Sequence, residues 1–253
     1  MTSVTITAVL ANWSADRLRE VFGHSPARAA QWMKLVALDG ICEAQVCYGR
    51  MLLEGSGIGK DKSEALTWFK RAAARGDLDA INLVGRCLEN GWGTPVDAVS
   101  AASWYARAAD AGHAWAQYNL GHLYLDGCGV QRDHDRAYHY YRKSADQQHA
   151  RAMNLVGRCC EEGWGIPRDL TSASHWYRRS AEAGYFRGQY NWASLLLMCG
   201  RDAEAAEWFE RAALSGNSAV RKAVMNVAAL SREDNPVGML ARRLHQQSGA
   251  MSM

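Results

Sequence analysis

Four side chains able to carry positive charge recur in this chain at an even step of 36 residues: Arg50, Arg86, His122 and Arg158, with Ser194 in the fifth place. A guanidinium is planar, always charged and offers forked N–H donors, so a row of them could hold the carboxylates of an acidic segment. Four residues before each stand Val46, Asn82, Tyr118, Asn154 and Tyr190. Amides and phenols at that spacing, one helical turn away, could clasp a peptide backbone whatever its side chains. A second reading is equally open. Arg50 with Glu54, His122 with Asp126 and Arg158 with Glu162 are i, i+4 pairs that could simply brace a helix by a few tenths of a kcal/mol.

Other residue clusters invite other chemistry. His113, His122, His134, His139 and His149, five of the eight histidines, gather with Asp126, Cys128, Asp133 and Asp135. His122 and Asp126 share one helix face, as two metal ligands could, but the remaining donors come from a loop and another helix, and solvated polar residues are the plainer reading. The stretch Gly55-Ser56-Gly57-Ile58-Gly59-Lys60-Asp61 resembles a phosphate loop, yet Glu54 stands where such a loop needs glycine and Asp61 where it needs a hydroxyl. The sequence holds no nucleophile elbow, no His-Glu-x-x-His and no Cys-x-x-Cys, so it predicts no enzyme, no cofactor and no metal site. A formal net charge of +3 is too small to hold a phosphate backbone, which argues against nucleic acid and against an RNA-binding helical array. Residues 1–13 lack the basic leader and cleavage site of a secretory signal, and no run is apolar enough to cross a bilayer. Seven cysteines without regular pairing point to reduced thiols and a cytoplasmic location.

The elements that must position these residues are set by repetition. Asn82-Leu83-Val84-Gly85-Arg86-Cys87 returns letter for letter as residues 154–159, and half of that interval is the unit. Small residues recur at Ala44, Ala80, Ala116, Ala152 and Gly188, and glycines at Gly49, Gly85, Gly121 and Gly157, then Gly55, Gly91, Gly127 and Gly163. Aromatic pairs close the units: Trp68-Phe69, Trp104-Tyr105, Tyr140-Tyr141 and Trp176-Tyr177. Such a period marks stacked supersecondary units, none of which buries its apolar face alone. Each unit reads as helix, glycine loop, helix, with Ala65, Trp68, Phe69, Ala72 and Ala73 forming the apolar stripe of a second helix. Trp104 and Trp176 are expected to bury large surfaces between units. Gly76, Gly112 and Gly184 should end second helices in the left-handed conformation, with Gln148 in that place in the third unit.

The prediction is a single all-α domain over 1–253. Residues 1–42 form a degenerate N-terminal capping pair, with Ser14 starting a first helix and Ser25-Pro26 a second. Five repeats span 43–216, the fifth shortened by four residues at Cys199 to Asp202. Residues 217–253 hold a helix from Ser218 to Leu230, a basic helix to about Gln247 and a disordered tail from Ser248.

The succession Ala80, Gly85, Gly91, Gly93, Asp97, Ala101, Trp104, Tyr105, Ala108, Ala109 and Gly112 resembles the Sel-1-like repeat. That resemblance, over roughly 43–216, implies a right-handed α/α superhelical solenoid related to tetratricopeptide arrays and a non-enzymatic adaptor for other proteins. It also implies that Arg50, Asn82, Arg86, Tyr118, His122, Asn154, Arg158 and Tyr190 face a concave groove, where a protein or peptide partner with an acidic segment would lie. The chain lacks the regular cysteine pairing of the disulfide-rich branch of that family. The reading from another class is a metal-handling or redox-linked accessory protein using the His/Cys-rich third repeat.

Overall fold

A computed structural model describes residues 25–232, 234–240 and 243–244. The helix expected from Ser14, the end of the expected basic helix near Gln247 and the tail from Ser248 lie outside these residues. Among the described residues all regular structure is helical. The chain divides by its contacts into two compact units, Met1–Arg132 and Asp133–Met253.

The first unit contains α1 (Pro26–Leu38), α2 (Cys42–Glu54), α3 (Lys62–Ala74), α4 (Leu78–Asn90), α5 (Ala98–Asp110) and α6 (Ala114–Asp126). The second contains α7 (His134–Asp146), α8 (Ala150–Glu162), α9 (Leu170–Glu182), α10 (Phe186–Met198), α11 (Asp202–Ser215) and α12 (Ser218–Leu230). First helices of the repeats are α2, α4, α6, α8 and α10. Starts at 42, 78, 114, 150 and 186 reproduce the 36-residue step.

Boundaries follow from capping. Ser25 accepts a hydrogen bond from the Arg28 amide with Pro26 at the first helical position, as the sequence predicts. Asp61, Asp97, Asp133 and Asp169 cap the second helices α3, α5, α7 and α9. Each first helix from α2 to α8 ends on a left-handed glycine whose N–H returns to the last turn, as Gly91 (φ 68°) does to the Cys87 carbonyl. Gly76, Gly112 and Gly184 are left-handed at the ends of second helices, and among the described residues Gln148 (φ 64°) is the non-glycine residue in that conformation.

Packing within a hairpin joins a glycine to an aromatic ring. A Cβ on Gly85 would stand 2.7 Å from the Tyr105 ring and one on Gly157 2.6 Å from the Tyr177 ring, so only glycine lets the two helices close. Phe69 fills the same place against Gly49. The second member of each aromatic pair is therefore the deep one: Phe69, Tyr105, Tyr141, Tyr177 and Phe209 are all fully buried. Trp176 is buried as expected, whereas Trp104 is only half-buried, which corrects the expectation of a large buried surface there. Trp104 instead spreads its face under Arg107, 4.5 Å from the ring centre, and Trp68 and Trp208 do the same under Arg71 and Arg211. The hydroxyls of Tyr105 and Tyr177 donate to Glu89 and Glu161 on the first helices, at 2.6 and 2.5 Å. Burial, then that carboxylate, pushes both phenols above the usual tyrosine range.

Candidate interaction site

In the first unit the two evenly spaced arginines, Arg50 of α2 and Arg86 of α4, line a pocket of about 340 Å³, which Tyr118 and His122 of α6 do not reach. Arg50 and Glu54 come from α2, Asp79, Asn82, Leu83 and Arg86 from α4, and Trp115 from α6. The 36-residue step makes this possible, because it returns the chain to the same face of a first helix one repeat later.

Charges in the pocket are arranged across repeats rather than along helices. Arg50 extends Nη2 to Asp79 Oδ1 at 3.7 Å, not to Glu54 as the bracing reading expects. The same Asp79 oxygen stands 3.2 Å from His113 Nε2. His113 is the N-cap of α6: its Nδ1 accepts the Ala116 N–H at 3.1 Å, so Nε2 carries the proton given to Asp79. Arg86 leaves the helix axis to lie over the Trp92 ring, 5.1 Å from its centre. It thus keeps its N–H edge available while its face is covered. Arg50 and Asp79 are more than half exposed, so their ion pair contributes only about 0–1 kcal/mol and can open for a ligand.

The asparagines correct an expectation. Asn82 is 5 % exposed and its Oδ1 accepts from Asn119 Nδ2 of the next first helix at 2.9 Å. Asn154 and Asn191 repeat this bond in the second unit at the same distance. These amides tie consecutive first helices together before they could clasp a peptide, although Asn82 keeps an edge on the pocket. Tyr118 and His122 pack edge to face with ring centres 4.7 Å apart, and Trp115 meets Tyr118 at 6.0 Å, so α6 carries an aromatic row of which Trp115 borders the pocket. In the second unit Arg158 lies over Trp164, 4.9 Å from its centre, rather than pairing with Glu162. Tyr190 turns edge-on to Phe209 at 5.4 Å and joins the core of that unit.

The histidine-rich third repeat resolves into structural roles. His149 caps α8 through Nδ1 as His113 caps α6, Asp133 caps α7, and His139 packs against Tyr140. Among the described residues no group of three or more His, Cys, Asp or Glu is placed to hold a metal ion. All seven cysteines are free. Burial pushes the thiols of Cys87 and Cys159 up to about 11 and about 12, which makes them poor nucleophiles. Missed by sequence reasoning were Asp79 and Trp115, whose signal was their place one turn before Asn82 and Tyr118 on the same face.

Compared with protein families, the chain matches the Sel1 repeat five times, at residues 42–77, 78–113, 116–149, 150–185 and 187–217. The chain belongs to the Sel1 repeat family. A comparison with curated proteins gives no match. Among solved structures it is similar to a Sel1 repeat protein from Oxalobacter formigenes, with 29 % identity, a TM-score of 0.69 and coverage of 74 % of this chain and 77 % of that one. It is similar also to a protective antigen present in uropathogenic Escherichia coli strains that displays the same repeat fold. There the identity is 28 % and the TM-score 0.69, over 93 % of this chain but only 52 % of the longer antigen. An immunity protein from Pseudomonas aeruginosa shares the fold alone, at 16 % identity and a TM-score of 0.55 over 85 % of this chain and 86 % of that one. Sel1 repeats generally mediate protein–protein interaction, and the family is generally non-enzymatic. Among the described residues no helix is long and apolar enough to cross a membrane.

Proposed function

We propose that the protein is an adaptor that binds a segment of a partner protein at the pocket of its first unit, with Arg86 and Arg50 meeting a carboxylate and Trp115 an adjoining apolar side chain. The observation that supports this reading is the pocket itself, in which two evenly spaced guanidinium groups and a 42 % exposed indole border one space of about 340 Å³. Indole and guanidinium groups are the side chains that most often dominate binding energy at protein interfaces. Asp79 sets a threshold for entry: an incoming carboxylate must displace it from Arg50, while the N–H edge of Arg86 is already open to it. Tyr118 and His122 extend the surface along α6, and the exposed Arg158 is the second-unit counterpart of Arg86. The adaptor works in a reducing cytoplasm, without nucleic acid, membrane, metal or cofactor.

The test places a photo-crosslinking residue at position 86, identifies the captured protein, and measures its affinity for Arg86→Ala combined with Trp115→Ala. Both side chains are surface-exposed, so helical content and melting should stay as in the parent. Affinity should fall at least tenfold, which is about 1.4 kcal/mol. Unchanged affinity would remove this pocket from recognition.

A further inference from the structure

The loops after the first helices close the helix that precedes them. Gly57, Gly93 and Gly129 in the first unit and Gly165 in the second lie so tightly against the starts of α1, α3, α5 and α7 that a Cβ on any of them would collide with the carbonyl of Pro26, Lys62, Ala98 or His134. All four glycines are left-handed, and the residues that follow, Ile58, Thr94, Val130 and Ile166, are half-buried. One step of 36 further on, the helix start is Leu170 and the residue due to cover it is Arg201. The loop between α10 and α11 is only residues 199–201, where the loop between α8 and α9 runs over 163–169.

The surface opens at that point. A pocket of about 490 Å³ lies between Leu170, Thr171 and Ser174 at the start of α9 and Trp192, Met198 and Cys199 of α10 and its turn. Leu170 is 48 % and Met198 80 % exposed, a costly placement for apolar side chains. We infer that this slot docks a glycine turn of a partner protein, a Gly-x-Gly followed by a β-branched residue, which takes at α9 the place the chain's own loops take at α1, α3, α5 and α7. Four seated loops in the same chain define the occupant's chemistry: glycine where any side chain would strike the helix-start carbonyl, then a compact apolar residue to cover Leu170. A second copy of this chain is a poor donor, because its own Gly-x-Gly turns are already seated. The slot is separate from the pocket of the first unit, and it can exist whether or not that pocket binds.

The probe is a cyclised peptide with the sequence from Glu162 to Asp169, added to the full chain labelled at its methionine methyl groups. Binding should shift the Met198 resonance with a dissociation constant on the order of 1 mM or tighter. Alanine at the peptide glycine that stands for Gly165 should weaken it at least tenfold, and so should Leu170→Gln. Replacing residues 199–201 by the sequence of 163–169 should fill the slot and abolish the shift, with circular dichroism reporting an intact fold. The inference is overturned if Met198 does not respond, if the alanine peptide binds as well, or if the filled variant still binds. It is also overturned if the chain self-associates through this slot and the filled variant loses that association.

Discussion

The six residues Asn82–Cys87 and their copy Asn154–Cys159 are the same peptide in two surroundings. Inside, the copies behave alike: both asparagines accept from the asparagine of the next first helix, both glycines admit a tyrosine ring, and both arginines cover a loop tryptophan. Three residues earlier they part. Asp79 stands before the first copy and gathers Arg50 and His113, whereas Arg151 stands before the second and lies 5.9 Å from the centre of the Tyr185 ring. Packing fixes the inner half of a repeat, and the outer half is left to set the charge each unit shows a partner.

The largest test of that division is to remove the inner ring. Tyr105→Ala and Tyr177→Ala should each cost about 3–5 kcal/mol, because a fully buried aromatic is replaced by a cavity and Glu89 or Glu161 loses its donor. Urea unfolding should give closely similar losses. A difference well beyond the scatter expected at fixed chemistry would mean that the two inner halves are not equivalent.

A pH series sharpens the same point with a smaller effect. In the unfolded chain thiols ionise near 8.5 and phenols near 10, about their reference values. In the folded chain Cys87, Cys159, Tyr105 and Tyr177 hold their protons to higher pH because they are buried. The folded state therefore binds more protons in alkali, and its stability, full below about pH 8.5, falls as pH rises. Cys87→Ala with Cys159→Ala should flatten the first part of that decline, between about pH 8.5 and 10. An unaltered slope in the double variant would show that these thiols do not contribute to it.

The smallest effect lies at the corner where the units differ by sequence. Gly112 has φ 91° and open space where a Cβ would stand, and Gln148 holds φ 64° in the second unit. Gly112→Ala should cost about 1 kcal/mol through backbone strain alone, and Gln148→Gly should stabilise by a similar or smaller amount. Thermal melts of the two variants moving in the same direction would contradict the left-handed assignment at one corner.

Much of this architecture is legible because the 36-residue step is also the step of the helices: the starts at 42, 78, 114 and 150 and the glycine ends follow from it. The site is less legible. By i, i+4 spacing Arg50 pairs with Glu54, but its partner in the structure, Asp79, lies 29 positions on, and such contacts emerge only when repeats are laid side by side. Asn82 and Asn154 suit the task of a peptide clasp because they are amides, yet the same chemistry lets them pair with Asn119 and Asn191. His113 and His149 look like metal ligands in the sequence since histidine is an uncommon helix cap, and only the Nδ1 contacts with Ala116 and Ala152 reveal that role. Trp104 lies shallower than its sequence position suggests, because an aromatic pair read as letters does not say which member faces the glycine.

The seating of Gly-x-Gly turns on earlier helices has a consequence for synthesis. His134 begins α7, but the glycine that closes over it, Gly165, leaves the ribosome 31 residues later, the difference of the two numbers. The helices α1, α3, α5 and α7 thus emerge with their starts uncovered, and each is sealed only by the loop of the repeat that follows. Translation of this chain should therefore proceed as a series of delayed closures, each nascent hairpin exposed to chaperones for about the time needed to add one more repeat, a few seconds at about 5–20 residues per second. At α9, whose start has no such loop, that exposure does not end when the chain is finished.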